Sequence, residues 1–248
     1  MEAIYIFWLR QIKRYFRSKS RLVGSLAQPA LFLMALGFGF GPIFEKAGGG
    51  NYIAFIVPGI ITQTILYTAM FAGIDLIWDR QFGFLREMLA APVSRFSIII
   101  GRTLGTATIA AAQGLIVLFL SLFLGFRPFA IGRLFFSIGF MFLIAFLFTV
   151  FGTALASVLN DVQGFQLIVS FFLLPMFFLS GALFPLDGFP GPLRMVASFN
   201  PLTYGIDALR SCLINISHFG LAWDLTVLGL LTIAFLWLAN YSFSKTQA

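Results

Sequence analysis

Residues 134–160 read LFFSIGFMFLIAFLFTVFGTALASVLN, a run without a single charged side chain. A helix needs roughly twenty apolar residues to cross about 30 Å of hydrocarbon, so this run is long enough to span a bilayer. It lacks the sustained apolar/polar alternation of a transmembrane β-barrel strand. The stretch therefore predicts a transmembrane α-helix.

Further charge-free runs of similar length lie on both sides of this one. The complete set comprises residues 22–44, 52–74, 103–126, 134–160, 162–186 and 225–244. Between the fourth and fifth runs stand Asn160, Asp161 and Gln163, which predict a tight turn because polar side chains are costly inside hydrocarbon. The sequence predicts an all-α membrane protein of six transmembrane helices. Its single transmembrane domain, residues 1–248, would comprise an N-terminal helix in residues 1–21 and a bundle in residues 22–244.

Composition agrees with a membrane protein. Hydrophobic residues make up 60% of the chain and charged residues 10%, whereas a soluble domain carries roughly a quarter charged residues. The net charge of +7 must be interpreted by position along a membrane chain, so we expect no nucleic-acid partner. The single cysteine, Cys212, excludes a disulfide framework within one subunit and is expected to be an inert thiol; an intersubunit bridge is the alternative.

The distribution of Lys and Arg predicts the orientation in the membrane. With six spans, both termini share one side with Arg10, Lys13, Arg14, Arg17, Lys19, Arg21, Arg80, Arg86, Arg95, Arg102 and Lys245. The other side holds Lys46, Arg127, Arg133, Arg194 and Arg210. Because cytoplasmic loops carry the excess of Lys and Arg, we expect a multi-pass protein of the cell membrane with both termini in the cytosol.

The first twenty-one residues have the pattern of an amphipathic helix. Basic residues fall on one side of a helical wheel and apolar residues, including Trp8, on the other. The basic side is formed by Arg10, Lys13, Arg14, Arg17 and Arg21. Such a helix is expected to lie in the cytosolic interface with its basic face toward anionic lipid head groups. A plain positive-inside anchor is the alternative, and the two are compatible.

Residues 79–95, DRQFGFLREMLAAPVSR, form a charged island between two apolar runs. We expect Asp79 near the start of a short helix and Pro92 at its end. Phe82, Leu85 and Leu89 recur every three or four residues and give that helix one apolar side, which could fit a groove on a partner protein. A solvated loop is the alternative.

Two glycine pairs have the Gly-x-x-x-Gly spacing of close helix packing, Gly37 with Gly41 and Gly101 with Gly105. Contact within the chain is expected, and a dimer contact is the alternative. The sequence has no Gly-x-x-x-x-Gly-Lys-Ser/Thr loop for ATP phosphates. Its lone histidine, His218, and scattered acids predict neither an enzyme nor a metal site. We expect no cofactor in this chain, and a non-transporting membrane scaffold remains an alternative.

The segment 185–218 is rich in proline and glycine but not hydrophilic. Asn200 and Pro201 predict the N-cap and first residue of a helix. Apolar residues then recur along one face, at Leu202, Ile206, Leu209 and Leu213. This helix either dips into the outer interface and packs over a pore, or lies on the surface.

Three blocks of the chain resemble the ABC-2 type permeases, which are the membrane subunits of drug-resistance and nodulation-factor exporters. The first is the island at residues 79–95, which is similar to the loop after the second span of that family. The second is LSGALFP at residues 179–185, followed by NPLTYGIDALR at 200–210. The third is residues 52–59, which open the second span. The blocks occur in the order expected for the family.

The resemblance implies an export pathway between two six-span halves, with a second copy of the permease as the expected partner. Two cytosolic ATPase subunits, which bind ATP and Mg, would dock on the island as a coupling helix, and residues 1–21 would be the connecting helix. The implied contact residues are Arg80, Gln81, Phe82, Gly83, Leu85, Arg86, Glu87, Leu89 and Pro92. Gln81 departs from the family, because relatives commonly carry Glu at this position.

The family likeness also implies an external hairpin that closes the exit, with Pro185, Asn200, Pro201 and Tyr204 as gate residues. Apolar spans with almost no charge suit an amphipathic, drug-like or lipid-linked cargo; a polysaccharide or lipid-linked glycan is the alternative. Aromatic residues could line the path or face lipid. They are Tyr67, Phe71, Phe171, Phe172, Phe177 and Phe178.

Overall fold

The computed structural model describes residues 2–46, 50–84, 87–88, 93–159 and 161–245. These residues form helices and no strand. In chain order the helices are α1 (Glu2–Arg17), α2 (Lys19–Lys46), α3 (Tyr52–Phe71), α4 (Gly73–Gln81), α5 (Arg95–Phe123), α6 (Leu134–Val158), α7 (Val162–Phe178), α8 (Gly191–Phe199), α9 (Pro201–Ile214) and α10 (Leu221–Lys245). The prediction of an all-α chain is therefore confirmed for the described residues.

Helix α3 is the centre of the bundle. It packs against α2, α5, α6 and α9, and its side chains from Ile56 to Leu66 are buried. Asn51 caps its N-terminus by accepting a hydrogen bond from the backbone N–H of Ala54 at 3.2 Å. At Ala72 the helix breaks, and α4 continues from Gly73. A Cβ atom on Gly73 would lie 2.7 Å from the Gly152 carbonyl oxygen, so glycine permits the close approach of α4 to α6.

Five helical stretches in the described residues are long and apolar enough to cross a membrane. They are Val23–Lys46, Tyr52–Gln81, Arg95–Phe123, Leu134–Val158 and Leu221–Ser242. Helix α7 is apolar but shorter, with 17 residues. The expected run of residues 162–186 is thus helical only to Phe178, and the chain turns at Gly181, whose φ of +78° suits glycine.

Two predicted helix boundaries agree with the structure. Asp161 caps α7 by accepting a hydrogen bond from the backbone N–H of Gly164, as expected for a turn between α6 and α7. Asn200 caps α9 by accepting from the N–H of Leu202 at 3.0 Å, and Pro201 occupies the first turn. Every residue of α9 from Leu202 to Leu213 is buried. The alternative of a surface-lying helix is therefore wrong, because α3, α6 and α10 enclose this helix.

Candidate functional site

The basic side of α1 is turned toward a neighbouring helix. Arg10 lies 3.3 Å from the Asp79 carboxylate and Arg14 lies 3.2 Å from that of Asp75. Arg14 also reaches Asp79 at 3.5 Å, and Arg102 of α5 pairs with the other Asp79 oxygen. Asp79 is only 2% exposed. The expectation that Arg10 and Arg14 face lipid head groups is therefore corrected, while Lys13 and Arg17 remain exposed.

Two glycines let α1 lie directly on α5. A Cβ atom on Gly101 would stand 2.7 Å from the Ile4 carbonyl oxygen, and one on Gly105 would stand 2.9 Å from that of Trp8. The Trp8 indole N–H donates to the Thr108 hydroxyl at 3.1 Å across the same contact. Gly101 and Gly105 thus serve packing within the chain, which was one of the two alternatives that the sequence left open.

The helix that carries Asp79 and Arg80 begins at Gly73 and ends at Gln81, so the prediction that Asp79 starts a helix is wrong. Arg80 donates to the carbonyl oxygens of Ser157 and Leu159, at 2.9 and 3.2 Å. These carbonyl groups lie at the C-terminal end of α6, where helix carbonyls lack partners of their own. Arg80 thus fastens α4 to α6, and its predicted contact with an ATPase stays a prediction.

After α4 the island turns outward at Gly83, which has a φ of +80°. The flanking Phe82 and Phe84 are 66% and 50% exposed, and Gln81 and Glu87 are exposed as well. Further along the island, the Met88 sulfur accepts a hydrogen bond from Arg10 at 3.0 Å, which ties Met88 to α1. The other predicted contact residues, Leu85, Arg86, Leu89 and Pro92, lie outside the described residues.

A cavity of about 440 Å³ lies among α1, α2, α3, α4, α5 and α7. Its wall is apolar over the larger part of its surface, but for a chain this hydrophobic it carries many neutral amide and hydroxyl groups. These belong to Gln11, Ser25, Gln28, Gln63, Thr64, Thr68, Thr106, Gln113 and Gln166, with Tyr15 and Tyr67. The single ion pair in this wall, Arg14 with Asp75, joins the cavity to the cluster around Asp79.

Gln113 organises one side of this cavity. Its amide nitrogen donates to the hydroxyl oxygens of Tyr15 and Ser25, the latter at 3.1 Å. Its amide oxygen accepts from the Thr68 hydroxyl. Because these residues come from α1, α2, α3 and α5, one buried amide links the amphipathic helix to three helices of the bundle.

The aromatic residues predicted to line a path fall into three groups. Tyr67 and Phe71 line the cavity. Phe171, Phe172 and Phe178 on α7 point outward and are 83%, 49% and 45% exposed. Phe177 is only 3% exposed, so its predicted place in a pathway wall is corrected to the packed core.

At the opposite end of the bundle, residues 179–214 form a hairpin fastened by Arg210. The guanidinium donates to the carbonyl oxygens of Gly181 and Ala182, at 2.7 and 3.2 Å. It also stands 3.9 Å from the centroid of the Phe55 ring. Burial lowers the pKa of Arg210 to about 10, although the nearby Asp207 carboxylate acts to raise it. The guanidinium is therefore still charged at neutral pH.

The predicted gate residues fasten the same hairpin. The Asn200 amide donates to the Met176 carbonyl oxygen at 2.6 Å, and the Tyr204 hydroxyl donates to that of Ser198 at 2.6 Å. Pro201 begins α9, and Pro185 is exposed. Sequence reasoning missed Arg210, which it counted only as an external charge. An arginine within the apolar pattern of α9 was the signal that it is buried.

Long apolar helices packed around a cavity, with one charged end and one hairpin end, are typical of an integral membrane protein. The chain belongs to the ABC-2 type transporter family, whose pattern matches residues 2–214. The membership predicted from the island and the hairpin blocks is thereby confirmed.

Named relatives agree with this assignment. The chain is 33% identical to the ycf38 transport permease of Cyanophora paradoxa, over 80% of this chain and 71% of that protein. It is 27% identical to nodulation protein J of Rhizobium leguminosarum bv. viciae, over 78% and 75% of the two chains. It is 26% identical to the inner membrane transport permease YadH of Escherichia coli (strain K12), over 94% and 91%. The chain is thus a membrane-embedded permease.

Proposed function

We propose that this permease is the membrane subunit of an ATP-driven exporter and that separate cytosolic ATPase subunits, two per complex, supply the ATP and Mg. Permeases of this family normally work with ATPase partners. The observation that carries the proposal is the pair of exposed aromatic side chains, Phe82 and Phe84, directly after the anchored end of α4. Exposed aromatic side chains beside polar groups are the usual anchors of a protein contact.

The anchoring of α4 supplies a route from this contact into the bundle. Asp79 is paired with arginines of α1 and α5, and Arg80 is bonded to the end of α6. A shift of the island therefore cannot occur without moving α1, α5 and α6. This rigid connection is what conversion of an ATPase movement into a helix movement requires.

The proposed topology places the island and both termini in the cytosol and residues 185–218 outside. Helix α7 adds a span to the five long helices and is the fifth of the six in chain order. At 1.5 Å per residue it reaches about 25 Å, and the apolar hairpin completes the crossing. A second copy of the permease would cover apolar side chains left exposed on α2 and α7, such as Phe38 and Phe171. Two copies would enclose a path that one six-span unit leaves open.

The cavity wall indicates the class of cargo. Amide and hydroxyl groups without net charge match the many hydroxyl groups of a sugar, and Tyr67 and Phe71 offer apolar faces to a ring. We propose an amphipathic, lipid-linked cargo whose head is a neutral glycan. The nodulation protein J relatives favour this over a drug-like cation.

The test is transport by the permease and its partner ATPase in lipid vesicles. Gln166→Leu removes a hydrogen-bonding group from the cavity wall, whereas Gln163→Leu changes an equally exposed residue of the same helix away from it. We expect Gln166→Leu to reduce ATP-dependent movement of a lipid-linked oligosaccharide at least several-fold and Gln163→Leu to leave it unchanged. Loss with both variants or with neither would refute the cargo assignment. Absence of ATP-dependent movement in the unmodified complex would refute export and leave a scaffold.

A further inference from the structure

Asp224, in the first turn of α10, is buried without a donor for its carboxyl group. Its exposed fraction is 0%, and among the described residues neither of its oxygens has a hydrogen-bond partner. An ionised carboxylate in such a place costs several kcal/mol unless a counter-charge or donors compensate it. Among the described residues, neither carboxyl oxygen of Asp224 thus has a hydrogen bond that would compensate a negative charge.

The neighbour of Asp224 is a second carboxyl group, that of Asp207 on α9, which acts on it by charge and by direct side-chain contact. Asp207 is well supplied with donors. It accepts from the backbone N–H groups of His218 and Phe219, at 2.7 and 2.8 Å, and from the Ser217 hydroxyl at 3.1 Å. The Asp207 oxygens thus already accept three hydrogen bonds, and carboxyl oxygens face each other at the contact with Asp224.

Within the part of the chain that the structure describes, no cation is directed at Asp224. Arg210 points its guanidinium at the carbonyl groups of Gly181 and Ala182. Arg133 donates to the carbonyl of Ser211 at 3.3 Å and to the Asn215 side chain. The remaining titratable groups around the pair are Tyr204, Cys212 and His218, and the His218 ring lies instead against Asp187, at 3.7 Å.

We propose that Asp207 and Asp224 form a proton-binding site, in which the carboxylic acid of Asp224 donates its O–H to the carboxylate of Asp207. One proton supplies the missing donor and removes the uncompensated charge, and it comes from the solvent when the chain folds. A metal ion fits less well. Asp207 already accepts three hydrogen bonds, and no group of three His, Cys, Asp or Glu side chains forms within the described residues.

The proton joins α9 and α10 to the loop between them, because the same Asp207 carboxylate holds residues 217–219. An aspartate in an unfolded chain has a pKa of about 3.9 and releases its proton at neutral pH. The folded protein therefore binds one proton more than the unfolded chain, so stability falls as the pH rises. This pH dependence belongs to the hairpin end of the bundle.

Infrared spectroscopy of the full chain in lipid tests the site directly. We expect a protonated-carboxyl C=O band in the unmodified protein, loss of that band in Asp224→Asn, and a shifted band in Asp207→Asn, where the acceptor changes. Asp187→Asn is the matched control, since the Asp187 side chain is 79% exposed, and it should leave the band unchanged. Absence of the band in the unmodified protein, or its persistence unaltered in Asp224→Asn, would overturn the proposal.

Thermal unfolding supplies the second readout. The unmodified protein should lose melting temperature as the pH rises from about 4, the pKa of an unfolded aspartate, to the pH at which the folded site releases its proton. Asp224→Asn should lose less over this range, because an amide donates to Asp207 at every pH. Stabilisation of the unmodified protein by Na⁺ or Ca²⁺, absent in Asp224→Asn and accompanied by no protonated-carboxyl band, would replace the proton with a cation and overturn the proposal.

Discussion

The two ends of the bundle each depend on a buried charged residue, but they satisfy it in different ways. Asp79 is surrounded by arginine side chains from separate elements, Arg10 and Arg14 of α1 and Arg102 of α5. Arg210 makes its hydrogen bonds to backbone carbonyl groups and stands over the Phe55 ring. One end is held by partner charges on side chains, the other by carbonyl groups of the backbone.

This difference separates a part that can move as a unit from a part that is fixed in place. The ion pairs of Asp79 tie α1, α4 and α5 to one another through side chains, so these helices can move as one group. Arg210 is bonded instead to the carbonyl groups of Gly181 and Ala182, which fixes the turn at Gly181 against α9. We infer that the Asp79 end moves during function and that the Arg210 end holds its shape.

The largest effect is expected for Asp79→Ala. Removal of the carboxylate leaves Arg102, which is 6% exposed, as an unpaired buried charge, and breaking such a pair costs about 3–5 kcal/mol. Helix α1 should also lose its attachment. A fall in melting temperature and protease cleavage near residue 18 would show both effects.

A double variant, Asp79→Leu with Arg102→Met, tests whether the loss of stability comes from the unpaired charge or from altered packing. Replacement of both partners by apolar side chains should recover much of the loss, because the buried Arg102 charge is then absent. Arg10 loses its carboxylate partner as well, but its side chain is 36% exposed and stays hydrated. If the loss of unfolding free energy in the double variant equalled the sum of the losses in the two single variants, the ion pair would not be important for stability.

A smaller but still large loss of unfolding free energy is expected for Arg210→Met. Methionine keeps the apolar stem but leaves the carbonyl groups of Gly181 and Ala182 without donors, at about 1–3 kcal/mol. The control is Arg194→Met, since Arg194 is exposed and donates to a single carbonyl, that of Asp187. Hydrogen exchange should increase in residues 179–186 in the first variant and stay unchanged in the second. Equal effects would refute the central role of Arg210.

The next expected effect concerns the backbone contact at the same end. A Cβ atom on Gly59 would lie 2.7 Å from the Ala182 carbonyl oxygen, so Gly59→Val should cost about 1–3 kcal/mol by overpacking. Gly41→Ala has no atom within 4 Å of the added carbon and should instead stabilise α2 by up to about 1 kcal/mol. If Gly59→Val and Gly41→Ala both raised the melting temperature, or both lowered it, the close approach at Gly59 would be contradicted.

The sequence predicted those parts of the molecule that depend on local pattern. Charge-free runs located α2, α3, α5, α6 and α10, and the Asn200–Pro201 pair located the start of α9. The end of α7 could not be read in this way, because residues 179–186 are as apolar as the helix before them and the turn depends on the backbone at Gly181.

Charged residues were placed least well. Arg10 and Arg14 were assigned to lipid, and the bonds of Arg80 to α6 were not predicted, because a basic residue on an amphipathic pattern carries no sign of its distant partner. The partner of Arg10 lies 69 positions away in the chain. The cavity was missed for the same reason, since Gln28, Gln63 and Gln113 each stand alone in an apolar stretch. Such long-range pairings become visible only once the helices are packed.

Docking of an ATPase on the island is tested most directly by co-purification with Phe82→Asp and Phe84→Asp. These side chains are 66% and 50% exposed. The substitutions should therefore change the free energy of unfolding by no more than about 0.5 kcal/mol. Phe129→Asp, at a 62% exposed position between α5 and α6, is the matched control. We predict at least a tenfold loss of ATPase recovered with either island variant and full recovery with Phe129→Asp. Full recovery of the ATPase, with normal stimulated hydrolysis, in both island variants would contradict the docking role of the island.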